Sequence, residues 1–177
     1  IYSRCVNGNE DLSQVLKMYF PWCQTWVQEL KALLAGYVDR KHKRNILDYD
    51  DLLLYWYYLV QDQNMAAIMG NRFDHILVDE YQDTNSIQSG ILIGMRQENK
   101  NITVVGDDSQ SIYSFRSATV RNMLDFAKHF KGAQIVKLEQ NYRSVEPILQ
   151  TTNQIITQAP ERYSNELRST RTGGQRP

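Results

Sequence analysis

Phe73-Asp74-His75-Ile76-Leu77-Val78-Asp79-Glu80-Tyr81-Gln82-Asp83-Thr84 and Ile102-Thr103-Val104-Val105-Gly106-Asp107-Asp108-Ser109-Gln110-Ser111-Ile112-Tyr113 are two short apolar runs, each ending in acid. A brief continuous apolar run with polar flanks is the mark of a strand buried on both faces, as in a parallel sheet. Set side by side in parallel, the two runs gather carboxylates, an amide and hydroxyls at their carboxyl ends. That crevice is where an open α/β sheet binds a phosphate ligand and its metal. The chain carries no G-x-x-x-x-G-K-[ST] loop with which to grip such a phosphate.

Outward from this pair, Ile135-Val136-Lys137-Leu138 reads as a third buried strand. Helical spacing runs through Ile87, Ile91, Leu92 and Met95 between Asn85 and Arg96, and again from Val120 to Phe130. Val145 to Ala159 reads as a helix with Pro147 in its first turn, where its missing N–H costs nothing. Strand alternating with helix predicts an α/β domain with mostly parallel strands. The chain upstream is helical. Leu12, Val15, Leu16 and Tyr19 share a face, and Trp22, Trp26, Leu30, Leu33 and Leu34 continue it, with Pro21 starting a second helix or kinking a longer one. A further helix spans Asn45 to Gln63, capped by Asp48 or Asp50. Leu52, Leu53, Tyr55, Trp56, Leu59 and Val60 give it apolar coverage broad enough to predict burial. Met65 to Met69 forms a short helix or turn closed by Gly70-Asn71.

A chain of 177 residues can bury one good core. Its 20 Lys and Arg balance 20 Asp and Glu, so no global basic field advertises nucleic acid and any such binding is local. Arg40-Lys41-His42-Lys43-Arg44 is the one dense basic run, either a solvated connector or helix end, or a contact to a phosphate backbone. Cys5 and Cys23 lack metal-ligand spacing and fit the reduced thiols of a cytoplasmic protein. No apolar run reaches membrane-spanning length and no signal peptide is visible. Ile1 at one end and Arg171-Thr172-Gly173-Gly174-Gln175-Arg176-Pro177 at the other read as cuts from something longer.

Asp79 and Glu80 close the first run. Adjacent carboxylates at a strand end can divide two tasks, one serving magnesium and the other accepting a proton from attacking water. Gln110 lies just past Gly106-Asp107-Asp108, where an amide could contact a terminal phosphate or its water, or simply bond its own loop. Tyr113, Phe115 and Arg116 could stack a base and hold a phosphate, or pack. After the third run, Arg143 offers a guanidinium fork and Tyr142 a planar face.

As a set these segments resemble the superfamily 1 DNA helicases of the UvrD/Rep/PcrA type. Asp79-Glu80-Tyr81-Gln82-Asp83-Thr84-Asn85 is similar to their motif II, and Val105-Gly106-Asp107-Asp108-Ser109-Gln110-Ser111-Ile112-Tyr113-Ser114-Phe115-Arg116 to motif III. Leu138-Glu139-Gln140-Asn141-Tyr142-Arg143-Ser144 is similar to motif IV, and Leu47-Asp48-Tyr49-Asp50-Asp51-Leu52-Leu53 to the stretch upstream of motif II. The resemblance implies an incomplete RecA-like P-loop NTPase domain at residues 45–160, preceded at 1–44 by the end of an inserted 1B subdomain. A basic extended tail follows at 161–177, with Arg162, Arg168, Arg171 and Arg176.

It further implies an ATP- and Mg2+-dependent motor that moves 3′ to 5′ on single-stranded DNA and opens duplex junctions. Asp79 would then serve magnesium and Glu80 would be the general base. Gln110 would couple the γ-phosphate to the DNA site, Arg143 would stabilise phosphate charge and Tyr142 would stack near adenine. Tyr113, Phe115 and Arg116 would meet DNA. The family usually has Trp where this chain has Phe115, and Gly where it has Ser117. The Walker A segment and the second RecA-like domain are not in the sequence, so the isolated chain is expected to be inactive. In the family's sheet order the Walker A strand lies between the motif III strand and the strand before motif IV, so exposed edges and self-association are expected. Without ATPase chemistry, the same residues would describe a single-stranded DNA-binding or partner-binding module, and the clustered acids alone a metal-dependent nuclease.

Overall fold

In the computed structural model, which describes residues 1–171 and 173, the two acid-ended runs form strands that pair in parallel. Strand β1 (Ile76–Val78) lies beside β2 (Ile102–Val104), with Ile76 opposite Ile102 and Val78 opposite Val104. Main-chain bonds carry the ladder past both ends. Ile76 N donates to Asn101 O at 3.0 Å, Val105 N to Val78 O at 2.8 Å, and Tyr81 N to Val105 O at 2.9 Å.

These strands belong to a first unit made of Ile1–Asp107 and Ser111–Met123. Its helices are α1 (Tyr2–Gly8), α2 (Leu12–Tyr19), α3 (Val27–Arg44), α4 (Tyr49–Leu59), α5 (Gln63–Gly70) and α6 (Ser86–Met95). Pro21 opens a 3₁₀ turn, Pro21–Trp26, that feeds α3. Leu12, Val15 and Leu16 of α2 are buried at i, i+3 and i+4. Val60, Ala66, Ile87, Ile91 and Met95 form the core, with Ile76 of β1 packed against it. Helix α6 comes close to the end of α4 because residue 94 is Gly. A Cβ there would lie 2.6 Å from Val60 Cγ2. Asn85 caps α6 in a capping box with Gln88.

The breadth of apolar coverage on α4 predicts burial all round, but only one side is covered. Val60 just beyond its end is buried, whereas Tyr49, Leu52, Tyr55, Trp56, Tyr58 and Leu59 are exposed. Helix α6 and α1 take one side of α4, and among the described residues nothing closes over the other.

The basic run at 40–44 is a helix end, the last turns of α3, as one of its sequence readings has it, but one of its cations is not solvated. Lys41 is only 4% exposed. Its Nζ lies 2.7 Å from Asp48 Oδ2 and 2.7 Å from the Asp51 carboxylate, and 4.4 Å from the centroid of the Tyr37 ring. Asp48 and Asp51 are themselves the two halves of the capping box that starts α4. One buried ammonium therefore ties the end of α3 to the first turn of α4. Lys43 pairs with Asp39 at 2.6 Å, and Arg40 and Arg44 are exposed.

The second unit holds Asp108–Gln110 and the residues from Leu124 onward. The helix expected over Val120 to Phe130 is two short ones, α7 (Arg121–Leu124) and α8 (Phe126–His129), with Asp125 as the N-cap of α8. The third strand expected at Ile135–Leu138 does not form. Ile135, Val136 and Leu138 are exposed, because neither sheet offers that run a partner. Pairing starts two residues later. Strand β3 (Gln140–Asn141) lies parallel to β4 (Arg168–Ser169), and α9 (Glu146–Ile156) packs on β4 with Pro147 in its first turn. Asn153 fixes this packing by bonding both the O and the N of Leu167, at 2.9 and 3.2 Å. Residues of the expected basic tail thus enter a sheet; Arg176 lies outside the described residues.

The fold is α/β, with parallel pairing in both two-stranded sheets and helices ahead of them, consistent with part of a RecA-like P-loop domain. Among the described residues no helix is long and apolar enough to cross a membrane.

The Lys41 network carries a prediction. Burial resists ionisation of Asp48, but hydrogen bonds from Lys41, Tyr37 and the Asp51 amide outweigh it and hold the carboxyl at about 2. A carboxylate depressed in the folded state stabilises above its ordinary value of 3.8 and loses that contribution as pH falls towards 2. Urea denaturation should therefore show a loss of stability across that acid window that D48N reduces. Lys41→Met strands Asp51 in a buried site and should cost about 3–5 kcal/mol near neutral pH.

Candidate functional site

The ladder bonds beyond β1 and β2 decide where the acids go. After Val78 the chain makes Asp79 and Glu80, then one 3₁₀ turn, Tyr81–Asp83. Glu80 sits at φ 51 and ψ 42, in the left-handed region, which costs a side-chain-bearing residue roughly 1–2 kcal/mol. Strain of this kind persists only where neighbours hold it. Here the Glu80 N–H donates to Asp79 Oδ1 at 2.9 Å, and Gln82 Nε2 donates to Glu80 Oε2 at 2.7 Å. Both carboxylates remain exposed. Tyr81, beside them, is buried with its hydroxyl 3.2 Å from Ser89 Oγ, and burial pushes its phenol above the ordinary value.

Among the described residues no three His, Cys, Asp or Glu side chains converge as a metal cage. Magnesium does not need one, since it commonly takes one or two carboxylates and completes its shell with water and substrate phosphate. An exposed Asp79, oriented through Oδ1 by the next amide, is a donor of that kind.

The aromatic segment is held to the same turn. Ser111 Oγ donates to Gln82 O at 3.4 Å, Ala118 bridges Asn85, and Thr119 N donates to Thr84 O at 3.1 Å. Asn122 Nδ2 reaches Thr84 O, Thr84 Oγ1 and Asn85 O at 3.0, 3.1 and 3.0 Å. On this frame a 3₁₀ turn, Ser114–Arg116, presents a tilted ring pair, Tyr113 and Phe115, with centroids 5.9 Å apart. The Arg116 guanidinium lies 5.4 Å from each ring, and Phe115 is 70% exposed. An open groove of about 1170 Å³ runs beside them, lined among others by Arg4, Tyr19, Phe20, Phe115 and Arg116. Arg4 stacks over Tyr19 at 3.7 Å and donates to Ser114 O at 2.6 Å. Its side chain is thus both part of the groove wall and a brace for the aromatic turn.

In the second unit, Gln110 is exposed on the 3₁₀ turn Asp108–Gln110. Tyr142 and Arg143 leave the end of β3 together. Asn141 Oδ1 accepts from Arg143 N and Ser144 N at 2.9 and 2.8 Å, an Asx turn that throws both side chains outward, and Tyr142 is 77% exposed. Arg171 braces the turn by donating to Arg143 O at 2.6 Å.

The structure thus joins Asp79 to Glu80, and Tyr113 to Phe115 and Arg116, within the first unit; Tyr142 adjoins Arg143 within the second, which also holds Gln110. Gln82, Arg4 and Asn122 went unassigned in the sequence. Their partners lie 25, 110 and 37–38 residues away, so no local spacing marks them.

The family model described as "UvrD/REP helicase N-terminal domain" matches residues 10–131. Among curated proteins, the chain is 42% identical over 170 residues to "ATP-dependent DNA helicase srs2" of Schizosaccharomyces pombe, covering 96% of this chain and 19% of that protein. It is 43% identical over 133 residues to "Probable DNA helicase II homolog" of Rickettsia conorii, covering 75% and 20%. With "ATP-dependent DNA helicase PcrA" of Staphylococcus aureus it shares 36% over 150 residues, 84% of this chain and 20% of that one. The chain spans about a fifth of the length of these relatives.

Ser117, the position that departs from the usual Gly, has φ 65 and is buried. Ser117→Gly should relieve the left-handed strain and raise stability by about 1 kcal/mol, read as a higher denaturation midpoint. An unchanged or lower midpoint would mean that the buried Ser117 side chain contributes as much as the backbone strain costs.

Proposed function

The chain belongs to the UvrD/REP helicase N-terminal domain family, and from that premise we propose that it is the motif II to motif IV part of an ATP-driven 3′ to 5′ DNA helicase. In this reading residues 1–44 end an inserted 1B subdomain, 45–160 supply part of a RecA-like 1A domain, and 161–177 are the basic stretch that follows it. One observation carries the catalytic side: a carboxylate pair at the carboxyl end of a parallel strand, with Glu80 fixed by a buried amide.

Glu80 accepts the proton of the water that attacks the terminal phosphate. Asp79 would hold magnesium, which when bound would supply charge neutralisation on the phosphates. Gln110 senses the γ-phosphate, Arg143 stabilises phosphate charge and Tyr142 stacks near the adenine. Single-stranded DNA runs over Tyr113, Phe115 and Arg116. The exposed rings with a cation beside them support that, since stacking on an aromatic face needs no particular base.

The phosphate grip is the part these residues do not contain, since no G-x-x-x-x-G-K-[ST] occurs in the sequence. The 177-residue chain is therefore expected to release no phosphate from ATP, with or without single-stranded DNA, in a colorimetric phosphate assay. Turnover by this chain that disappears in E80Q would overturn that expectation. In the parent enzyme E80Q should lower DNA-stimulated turnover by about 10²–10⁴-fold.

A second reading, a single-stranded DNA-binding module without ATPase chemistry, is favoured by the groove beside Phe115. Fluorescence anisotropy with an oligonucleotide separates the two. Salt-sensitive binding by the isolated chain, weakened by about 1–3 kcal/mol in F115A, supports DNA contact by this face. No association at high protein concentration removes the module reading.

A further inference from the structure

Gln82 is 1% exposed, yet it lies two residues past the exposed Glu80 on a turn. A buried primary amide must place both of its ends or suffer the desolvation cost. This one does so across the gap between the two acid-ended strands. Nε2 donates to Glu80 Oε2 at 2.7 Å, and Oε1 accepts from the Asp107 N–H at 3.0 Å. The orientation of the amide follows from its partners. A main-chain N–H can only donate, so Oε1 must face Asp107, and Nε2 is left for a carboxylate that can only accept.

The backbone is shaped around this link. A Cβ at Gly106 would lie 2.5 Å from Gln82 Oε1, so a larger residue there would push the amide off Asp107. The Gln82 main chain is held as well, its carbonyl accepting from Ser111 Oγ at 3.4 Å. Glu80, with a left-handed backbone and an exposed side chain, has no packing of its own to choose a rotamer. The bond from Gln82 supplies that choice.

We infer that Gln82 is a positioning residue: its buried amide aims the Glu80 carboxylate and links that aim to the end of the second strand, so that displacement of the Gly106-Asp107 backbone turns the base. This rests on the reading of Glu80 as general base. The group it acts on is the oxygen that takes the proton, and a shift of about 1 Å in such a group costs on the order of 10²-fold.

The test is steady-state ATP turnover by the parent enzyme saturated with single-stranded DNA. Q82E keeps an acceptor for the Asp107 N–H but sets a carboxylate against Glu80. Q82M removes both bonds with similar volume. Positioning predicts that both variants lose kcat by about 10–100-fold while KM for ATP stays within about twofold. A role confined to tying down Asp107 predicts that Q82E keeps wild-type kcat and only Q82M falls, and that result would overturn the inference. A double-mutant cycle guards against simple misfolding. In an E80Q background Q82E should make no further difference to residual turnover, whereas equal losses in both backgrounds would show that Gln82 acts without Glu80. The two ideas fail separately. If E80Q itself keeps full turnover, the reading of Glu80 as base is wrong; if E80Q is dead and Q82E is normal, only the positioning role is lost.

Discussion

Three main-chain hydrogen bonds past the strand ends govern the first unit. Val105 N to Val78 O and Tyr81 N to Val105 O extend the parallel ladder beyond the residues that form regular strand, and Ile76 N to Asn101 O sets its start. They fix the depth at which Asp79 and Glu80 emerge relative to Gly106 and Asp107. A slip of one residue would exchange which side chains face the core and which face out. It would also take Gln82 out of reach of Asp107. The chemistry-bearing residues are therefore placed by backbone register first and by side-chain contacts second.

From that register the connection between the acid turn and the aromatic turn follows. The turn that bears Glu80 continues into Thr84 and Asn85, and these accept bonds from Thr119 N and Asn122 Nδ2 and bridge Ala118. The aromatic turn with Tyr113 and Phe115 is thus anchored to the segment that follows the carboxylates, with few degrees of freedom between them. A physical account of coupling needs an element with two arrangements that both sites bias. The 82–85 segment is the stretch of this unit that touches both turns, because it holds Glu80 through the Gln82 side chain and the 111–119 loop through its main chain.

Much of this was legible in the sequence because it depends on local pattern. The apolar runs at 76–78 and 102–104, the cap at Asp48 and the proline at the start of α9 are all set by neighbours within a few residues. The failures share one cause, which is that burial belongs to the assembly and not to the segment. Ile135–Leu138 has the composition of a buried strand, and α4 that of a buried helix, but composition states only what a segment would tolerate. Without a neighbour, Val136 and Leu138 stand in solvent and no ladder forms. Lys41 is the converse. Its position in a basic run predicts solvent, and two carboxylates seven and ten residues on draw it into the interior.

That contrast bears on how the apolar surface is to be understood. Leu77 on β1 is 77% exposed, and Val105, Val136 and Leu138 are exposed as well, all in segments whose composition suits a sheet interior. Scattered apolar side chains on a surface need no explanation, but strand residues with bare faces and unpaired edges do. The side chains that carry the proposed chemistry do not share this dependence. Glu80 is held through Asp79 and Gln82, and Gln82 through Asp107, entirely by residues of one unit. The orientation of the Glu80 carboxylate is thus built by bonds the chain makes for itself. In the proposed reading, the absence of a G-x-x-x-x-G-K-[ST] loop from these residues concerns the grip on phosphate and not the orientation of Glu80.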